Sequence, residues 1–332
     1  MRERQPPTPS PHDALFKYVF SEPEQAQGLL RSILPPAIGS HIDWTTLRDE
    51  SGTFIERQLR EVRSDLVFSA TLGGRPLVIY LLFEHLSSPR DLVPLQLLGY
   101  ELEIWKKHVR AHPDAKRIPP ILPIVVFHGE HPWSSPRSFR EIVDLPPELW
   151  TEVGRHLPSF DIVLFDITGV TDGELRGLSS LPALGRLALL CLSRARTSPD
   201  MRAELRRFIE TVRAVLAAPN GVAALSAVLS YILQVAKDEP ERFLELFKRL
   251  GPRGEEAYMT GGQKLIETGR AEGRAEGRAE GTARALLKQL ELKFGKLFEP
   301  IIARVRAVSV DELDLWLERV LSACSLQEVI GR

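Results

Sequence analysis

Two carboxylates stand where a buried sheet should be apolar. Asp65 lies in Arg63-Ser64-Asp65-Leu66-Val67-Phe68, and Glu84 directly follows the run Leu77-Val78-Ile79-Tyr80-Leu81-Leu82-Phe83. An apolar run of that length, bounded by Gly73-Gly74 and Ser87-Ser88-Pro89, predicts a strand buried on both faces. An ionised carboxylate beside such a strand is costly unless a cation or hydrogen-bond donors compensate it. Two acids on neighbouring strands repel each other, and a divalent cation relieves that repulsion. The pair therefore points to a metal site on the edge of an α/β core. Taken alone, Asp65 also reads as a strand-end acid paired with Arg60 or Arg63.

The elements that would position these acids follow from periodicity. His12 to Leu34 carries Leu15, Phe16, Val19 and Phe20, then Leu29, Leu30, Ile33 and Leu34, which predicts helix up to Pro35-Pro36. Phe54 to Thr71 predicts extended segments, and Gly73-Gly74 a tight hairpin turn into the run at 77–83. Pro94 opens a helix through about His108, with Leu95, Leu98, Leu102 and Trp105 on one stripe. Ile121–Phe127 reads as a strand in which Pro123 suggests a sheet edge or a bulge, and Phe160–Ile167 as a further strand. Helix, hairpin, helix and strand in this order predict a mixed α/β domain over residues 12–173. Leu, Ala, Arg and Glu with helical periodicity predict an all-helical extension over 174–259.

Residues 269–281 repeat Gly-Arg-Ala-Glu with a period of four. In a helix, each of the four glycines would cost about 1 kcal/mol relative to alanine, and like charges would stack at i,i+4. A marginal helix and a flexible linker over 260–282 both fit, followed by a small helical module over 283–332. The polar, proline-rich residues 1–11 read as a disordered leader without the apolar core of a signal peptide.

Composition narrows the function classes. With 43 basic and 44 acidic side chains the formal net charge is −1, so nucleic acid must be met by local patches rather than by the whole surface. Cys191 and Cys324 are far apart in apolar helical patterns, as for reduced core residues of a cytoplasmic protein. No stretch approaches the ~18 apolar residues of a membrane span. His128 and His131 alone lack the ligand set of a zinc site.

His12-Asp13-Ala14-Leu15-Phe16-Lys17, Arg63-Ser64-Asp65-Leu66, Glu84-His85-Leu86-Ser87-Ser88, Glu103-Ile104-Trp105, and Val126-Phe127-His128-Gly129 with Trp133 follow one another along the chain. In this order they resemble the recombination-promoting nucleases, also described as YhgA-like transposases, over roughly residues 10–250. The resemblance implies a PD-(D/E)XK restriction-endonuclease-like mixed sheet flanked by helices. It also implies divalent-metal-dependent cleavage of DNA, with Mg2+ as the first expectation and Mn2+ or Ca2+ as substitutes. By resemblance Asp65 and Glu84 are the metal ligands. The third position, two after the Glu, is Lys or Gln in such nucleases but Leu86 here. Leucine cannot orient water or contact phosphate, so another group must do so if the chain is active. Gln96 on the following helix is the first candidate. Lys17 is a second, with an ordinary helix-surface role as the alternative. Asp13 is either a third acid at the metal or a cap of the first helix. A metal-dependent endonuclease and a catalytically weakened DNA- or protein-binding module therefore both remain open, and the helical C-terminal half offers a surface for homo-oligomer assembly.

Overall fold

The computed structural model describes residues 10–51, 66–86, 91–129, 131–295, 297–323 and 325–331, with 84–86, 264, 267–278, 280, 310 and 311 described by their backbone alone. The leader up to Pro9, the Arg63-Ser64-Asp65 segment, Ser87-Ser88 and Cys324 lie outside the described residues.

The predicted first helix is two helices, α1 (Pro11–Phe20) and α2 (Pro23–Ile33). Pro23 has no N–H to continue α1 and holds the preceding Glu22 in extended backbone, so the chain restarts there with proline in the first turn. A single turn, α3 (Pro36–Gly39), leads into β1 (Ile42–Asp49). β2 (Leu66–Leu72) and β3 (Arg75–Leu86) form the expected hairpin. Gly73 and Gly74 have φ of 54° and 77°, the left-handed pair that a two-residue hairpin turn requires. α4 (Val93–Ala111) crosses over to β4 (Ile121–Gly129), and β5 (Val163–Asp166) completes a sheet in the order β1-β2-β3-β4-β5. The first three strands are antiparallel neighbours, and β3, β4 and β5 are parallel.

Pro123 is therefore not at an edge, because β4 lies between β3 and β5. The backbone explains the correction. Val78 N–H donates to the Pro120 carbonyl on the β3 side, and Ile167 N–H to the Phe127 carbonyl on the β5 side. Odd residues of β4 thus turn their backbone toward β5, where pairing begins only at Ile124–Val163. The donor that Pro123 lacks falls where no partner strand has yet started.

Alternation divides the sheet between two cores. Leu66, Phe68, Leu77, Ile79, Leu81 and Phe83 face α1 and α2, and share their core with helices further along the chain. Those helices are α5 (Asp172–Gly177), α6 (Ala183–Arg194), α7 (Met201–Arg207), α8 (Ile209–Ala217), α9 (Gly221–Val235) and α10 (Glu241–Lys248). Val67, Val78, Tyr80 and Leu82 face α4 through Val93, Leu97 and Ile104.

The described chain forms two compact units, split between Gly262 and Gln263. The repeat tract lies in the backbone of a 43-residue helix, α11 (Pro252–Phe294), which contributes to both. In the second unit α11 is followed by α12 (Glu299–Ala307), α13 (Val310–Ser322) and α14 (Leu326–Ile330) around Leu286, Leu290, Val305 and Trp316. No described helix is long and apolar enough to cross a membrane.

Candidate functional site

The site expected from the sequence centres on the β2–β3 pair. Leu66, the first described residue of β2, pairs with Leu81. β3 continues to Leu86, and beyond Leu81 its backbone stays paired with β4: Glu84 opposite Phe127, His85 opposite His128 and Leu86 opposite Gly129. Every residue from Leu77 to Phe83 is buried, so β3 is the rigid centre of the sheet. Asp65 itself lies outside the described residues.

The end of β4 is shaped by Asp166. Its carboxylate accepts from Trp133 N–H at 2.8 Å and from Thr168 N–H at 2.9 Å, and Thr168 Oγ1 accepts from Gly129 N–H at 3.0 Å. A side chain at Gly129 would meet the Phe127 ring at 2.5 Å. The Phe127-His128-Gly129…Trp133 motif thus has a structural job: it ends the strand and turns the chain.

Gln96 is half-buried on α4, and its Nε2 donates to Tyr100 Oη at 3.0 Å. The Tyr100 ring stacks on Tyr80 with centroids 5.4 Å apart. Tyr80 pairs with Val67 across the hairpin and lies four positions before Glu84. The structure thus ties Gln96, through two tyrosines, to the α4 face of the β2–β3 pair.

Lys17 and Asp13 come from the other side. α1 packs on β3 through Phe16, whose ring stacks on Phe83 at 4.3 Å. Lys17 is exposed in the last turn of α1. Asp13 is half-buried in its first turn, where its backbone N–H donates to Ser10 Oγ at 3.2 Å; Ser10, not Asp13, is the helix cap. Gln96 on one hand, and Lys17 and Asp13 on the other, stand on helices that pack against opposite faces of the sheet. Among the described residues no group of three or more His, Cys, Asp or Glu side chains could hold a metal ion.

One residue that the sequence reading passed over is Glu101. It is only 3% exposed, and its Oε1 has no hydrogen-bond partner among the described residues. Burial pushes its carboxyl up to about 7, so it exchanges a proton near neutrality. The signal was present: Leu97, Glu101 and Ile104 fall at i, i+4 and i+7, which puts an acid on the sheet-facing stripe of α4. The stripe assigned from Leu95, Leu98 and Leu102 lies beside it, and Leu95 and Leu102 are exposed.

Comparison with known proteins agrees with the motifs. A family model described as "Putative transposase, YhgA-like" matches residues 10–222. "Recombination-promoting nuclease RpnA" of Escherichia coli K12 is 28% identical over 265 residues, 78% of this chain and 85% of that protein. "Recombination-promoting nuclease RpnD" of Escherichia coli O157:H7 is 27% identical over 265 residues, 78% of this chain and 95% of that protein. "Inactive recombination-promoting nuclease-like protein RpnE" of Escherichia coli K12 is 28% identical over 307 residues, 92% of this chain and 97% of that protein. No solved structure gives a significant match. With the family model covering most of the chain and these relatives aligned along it, the chain belongs to the YhgA-like, recombination-promoting nuclease family.

Proposed function

We propose that the chain is a metal-dependent DNA endonuclease that hydrolyses phosphodiester bonds on a PD-(D/E)XK-type sheet in the cytoplasm. The observation that carries this reading is the pairing of β2 with β3, the strands that hold or adjoin the two predicted ligands. Asp65 lies two positions before Val67 in sequence, and Glu84 four after Tyr80, while Val67 and Tyr80 are cross-strand partners on the α4 face. Even spacings of this kind are what two side chains need to emerge on one face of a sheet. Asp65 and Glu84 then hold one divalent cation, Mg2+ in the first instance. When bound, that cation polarises the scissile phosphate and acidifies a water. Gln96, tethered to Tyr100 on the same face, takes the polar role that Leu86 cannot fill and orients the water. Asp13 and Lys17 stand on α1 at the opposite face, so they would join the site only past the end of β3, Asp13 as a third acid and Lys17 as a phosphate contact.

A second reading rests on Leu86: a weakened nuclease that binds DNA or protein without cutting. One relative is itself named an inactive nuclease-like protein. Plasmid nicking with Mg2+, Mn2+ or Ca2+ separates the two. The endonuclease reading expects metal-dependent nicks that Asp65→Ala and Glu84→Ala both abolish. A silent wild type that Leu86→Gln awakens gives the answer to the binding module. Nicking that survives both acid substitutions would remove Asp65 and Glu84 from the chemistry altogether.

A further inference from the structure

Three buried polar rings meet near the C-terminal end of β4, drawn from three distant parts of the chain. Tyr231 Oη on α9 lies 2.8 Å from His12 Nδ1 on α1, across 219 residues of sequence. The two rings meet edge to face at 5.4 Å, and the His12 ring lies 5.8 Å from that of His128 near the end of β4. Exposure is 6% for His12, 2% for His128 and 3% for Tyr231. His128 is the register partner of His85, the residue after Glu84. His12 directly precedes Asp13 in the first turn of α1, where Ser10 supplies the cap.

From this geometry we infer that Tyr231 and His12 are positioning residues, which clamp the first turn of α1, and with it Asp13, against the end of the sheet that carries Glu84. The inference rests on the nuclease reading only for its consequence on cleavage. The clamp is a property of the fold and can be tested without activity.

The chemistry keeps the clamp closed. Burial raises the Tyr231 phenol far above its ordinary value, so it remains an O–H, and its 2.8 Å contact with His12 Nδ1 is a hydrogen bond in either ring tautomer. A ring nitrogen held by that hydroxyl fixes the orientation of the His12 imidazole, whichever partner donates. A buried hydrogen bond between elements this far apart in sequence holds only when the helical extension is docked, because α9 supplies Tyr231. The extension then belongs to the site as scaffold, not as a separate binding module.

Tyr231→Phe keeps the ring and deletes only the hydroxyl. In the full-length protein, 15N NMR of the imidazoles should show a hydrogen-bonded His12 Nδ1 whose shift changes in Tyr231→Phe. Amides of Ala14 to Lys17 should exchange about tenfold faster in the variant, while those of Leu77–Phe83 keep their protection. Plasmid nicking should fall ten- to a hundredfold in kcat with KM for DNA unchanged. His12→Asn, which keeps an acceptor near the Nδ1 position, should retain more activity than His12→Ala. A His12 Nδ1 shift that is the same in wild type and Tyr231→Phe, or unchanged exchange of the Ala14 to Lys17 amides, overturns the clamp. If the NMR and exchange results hold but nicking in Tyr231→Phe equals wild type, the positioning role is overturned. Wild type without nicking, but with both changes in Tyr231→Phe, overturns the nuclease reading and leaves the clamp standing.

Discussion

On the α1 face of the sheet, buried polar groups find partners across long stretches of sequence: Gln25 Oε1 accepts from Gly185 N–H at 2.9 Å, Ser226 Oγ donates to the Ala257 carbonyl at 3.1 Å, and Tyr231 meets His12. On the α4 face one helix covers the strands, and the carboxyl of Glu101 is buried with an oxygen left over. Orphaned atoms are not confined to that face: Arg186 Nε, Arg202 Nε and Asp238 Oδ1, on the helical side, are also buried without a hydrogen-bond partner among the described residues. What sets Glu101 apart is that its carboxyl sits on the stripe of α4 that packs on the sheet. Unsatisfied buried polar groups are rare in native proteins because each costs about 1–3 kcal/mol, so they are found where something other than stability is selected. The contrast that remains is between a face tied together by contacts from distant parts of the chain and a face that buries one carboxyl beside the residues proposed for chemistry, and on that ground we take α4 as the working side and α1 with its helical extension as the scaffold.

If that division is right, core damage on the α1 face should be severe. Phe16 is fully buried, stacked on Phe83 and 4.7 Å from Phe20. Phe16→Ala should cost about 3–5 kcal/mol in urea unfolding, from lost transfer energy plus the cavity left behind. A cost near 1 kcal/mol would mean that this face can collapse around a hole and is not the rigid one. Next comes the α2–α6 contact. A methyl group at Gly28 would lie 2.6 Å from both the Ser180 carbonyl oxygen and Pro182 Cδ, and backbone cannot swing away as a side chain can. Gly28→Ala should therefore cost roughly 1–3 kcal/mol without touching any polar group of the candidate site.

The hairpin, the crossover helix and β4 were legible because their signals are local: paired glycines with positive φ, an unbroken apolar run, a proline in the first helical turn. β1 was not. Of its eight residues only Ile42 and Leu47 are buried, an odd spacing produced by the register shift between Asp43 and Arg48, so strand alternation never forms in the sequence. Its pairing is specified by distant partners, such as Thr46 Oγ1 accepting from Thr71 N–H at 2.9 Å. The candidate site divides in the same way. Asp65 and Glu84 stood out as acids against apolar runs. Glu101 was hidden because one acid in an amphipathic helix looks like its solvent face until the stripe is fixed by what it packs on. The His12–Tyr231 contact joins the first and last parts of the compact unit, and no local pattern could have announced it.

Glu101 allows a sharper test of the α4 side. Its folded carboxyl titrates at about 7, above the ordinary 4.5. Between those values the folded state holds a proton that the unfolded state releases, so stability from this group falls as pH rises through about 5 to 7 and then levels off. Glu101→Gln should match wild type near pH 5 and exceed it by about 1–2 kcal/mol at pH 8, after allowance for screening. Urea midpoints at the two pH values measure this directly. Parallel curves for wild type and variant would mean that the carboxyl is ionised and compensated, and the contrast between the two faces would fail.

The smallest effect on stability is expected at Gln96, where the comparison is most exposed to refutation. Its side chain is half-buried and, among the described residues, makes one hydrogen bond, to Tyr100, so Gln96→Ala should cost only about 0.5–1 kcal/mol. Working residues differ from scaffold residues in that their removal costs activity out of proportion to stability. If Gln96 supplies the polar group that Leu86 lacks, Gln96→Ala should abolish metal-dependent nicking while the unfolding curve hardly moves. Tyr100→Phe, which removes the hydroxyl that Gln96 holds but leaves the ring on Tyr80, should fall between wild type and Gln96→Ala. Full activity in Gln96→Ala would return the missing role to the α1 side, with Lys17 as the residue to substitute next.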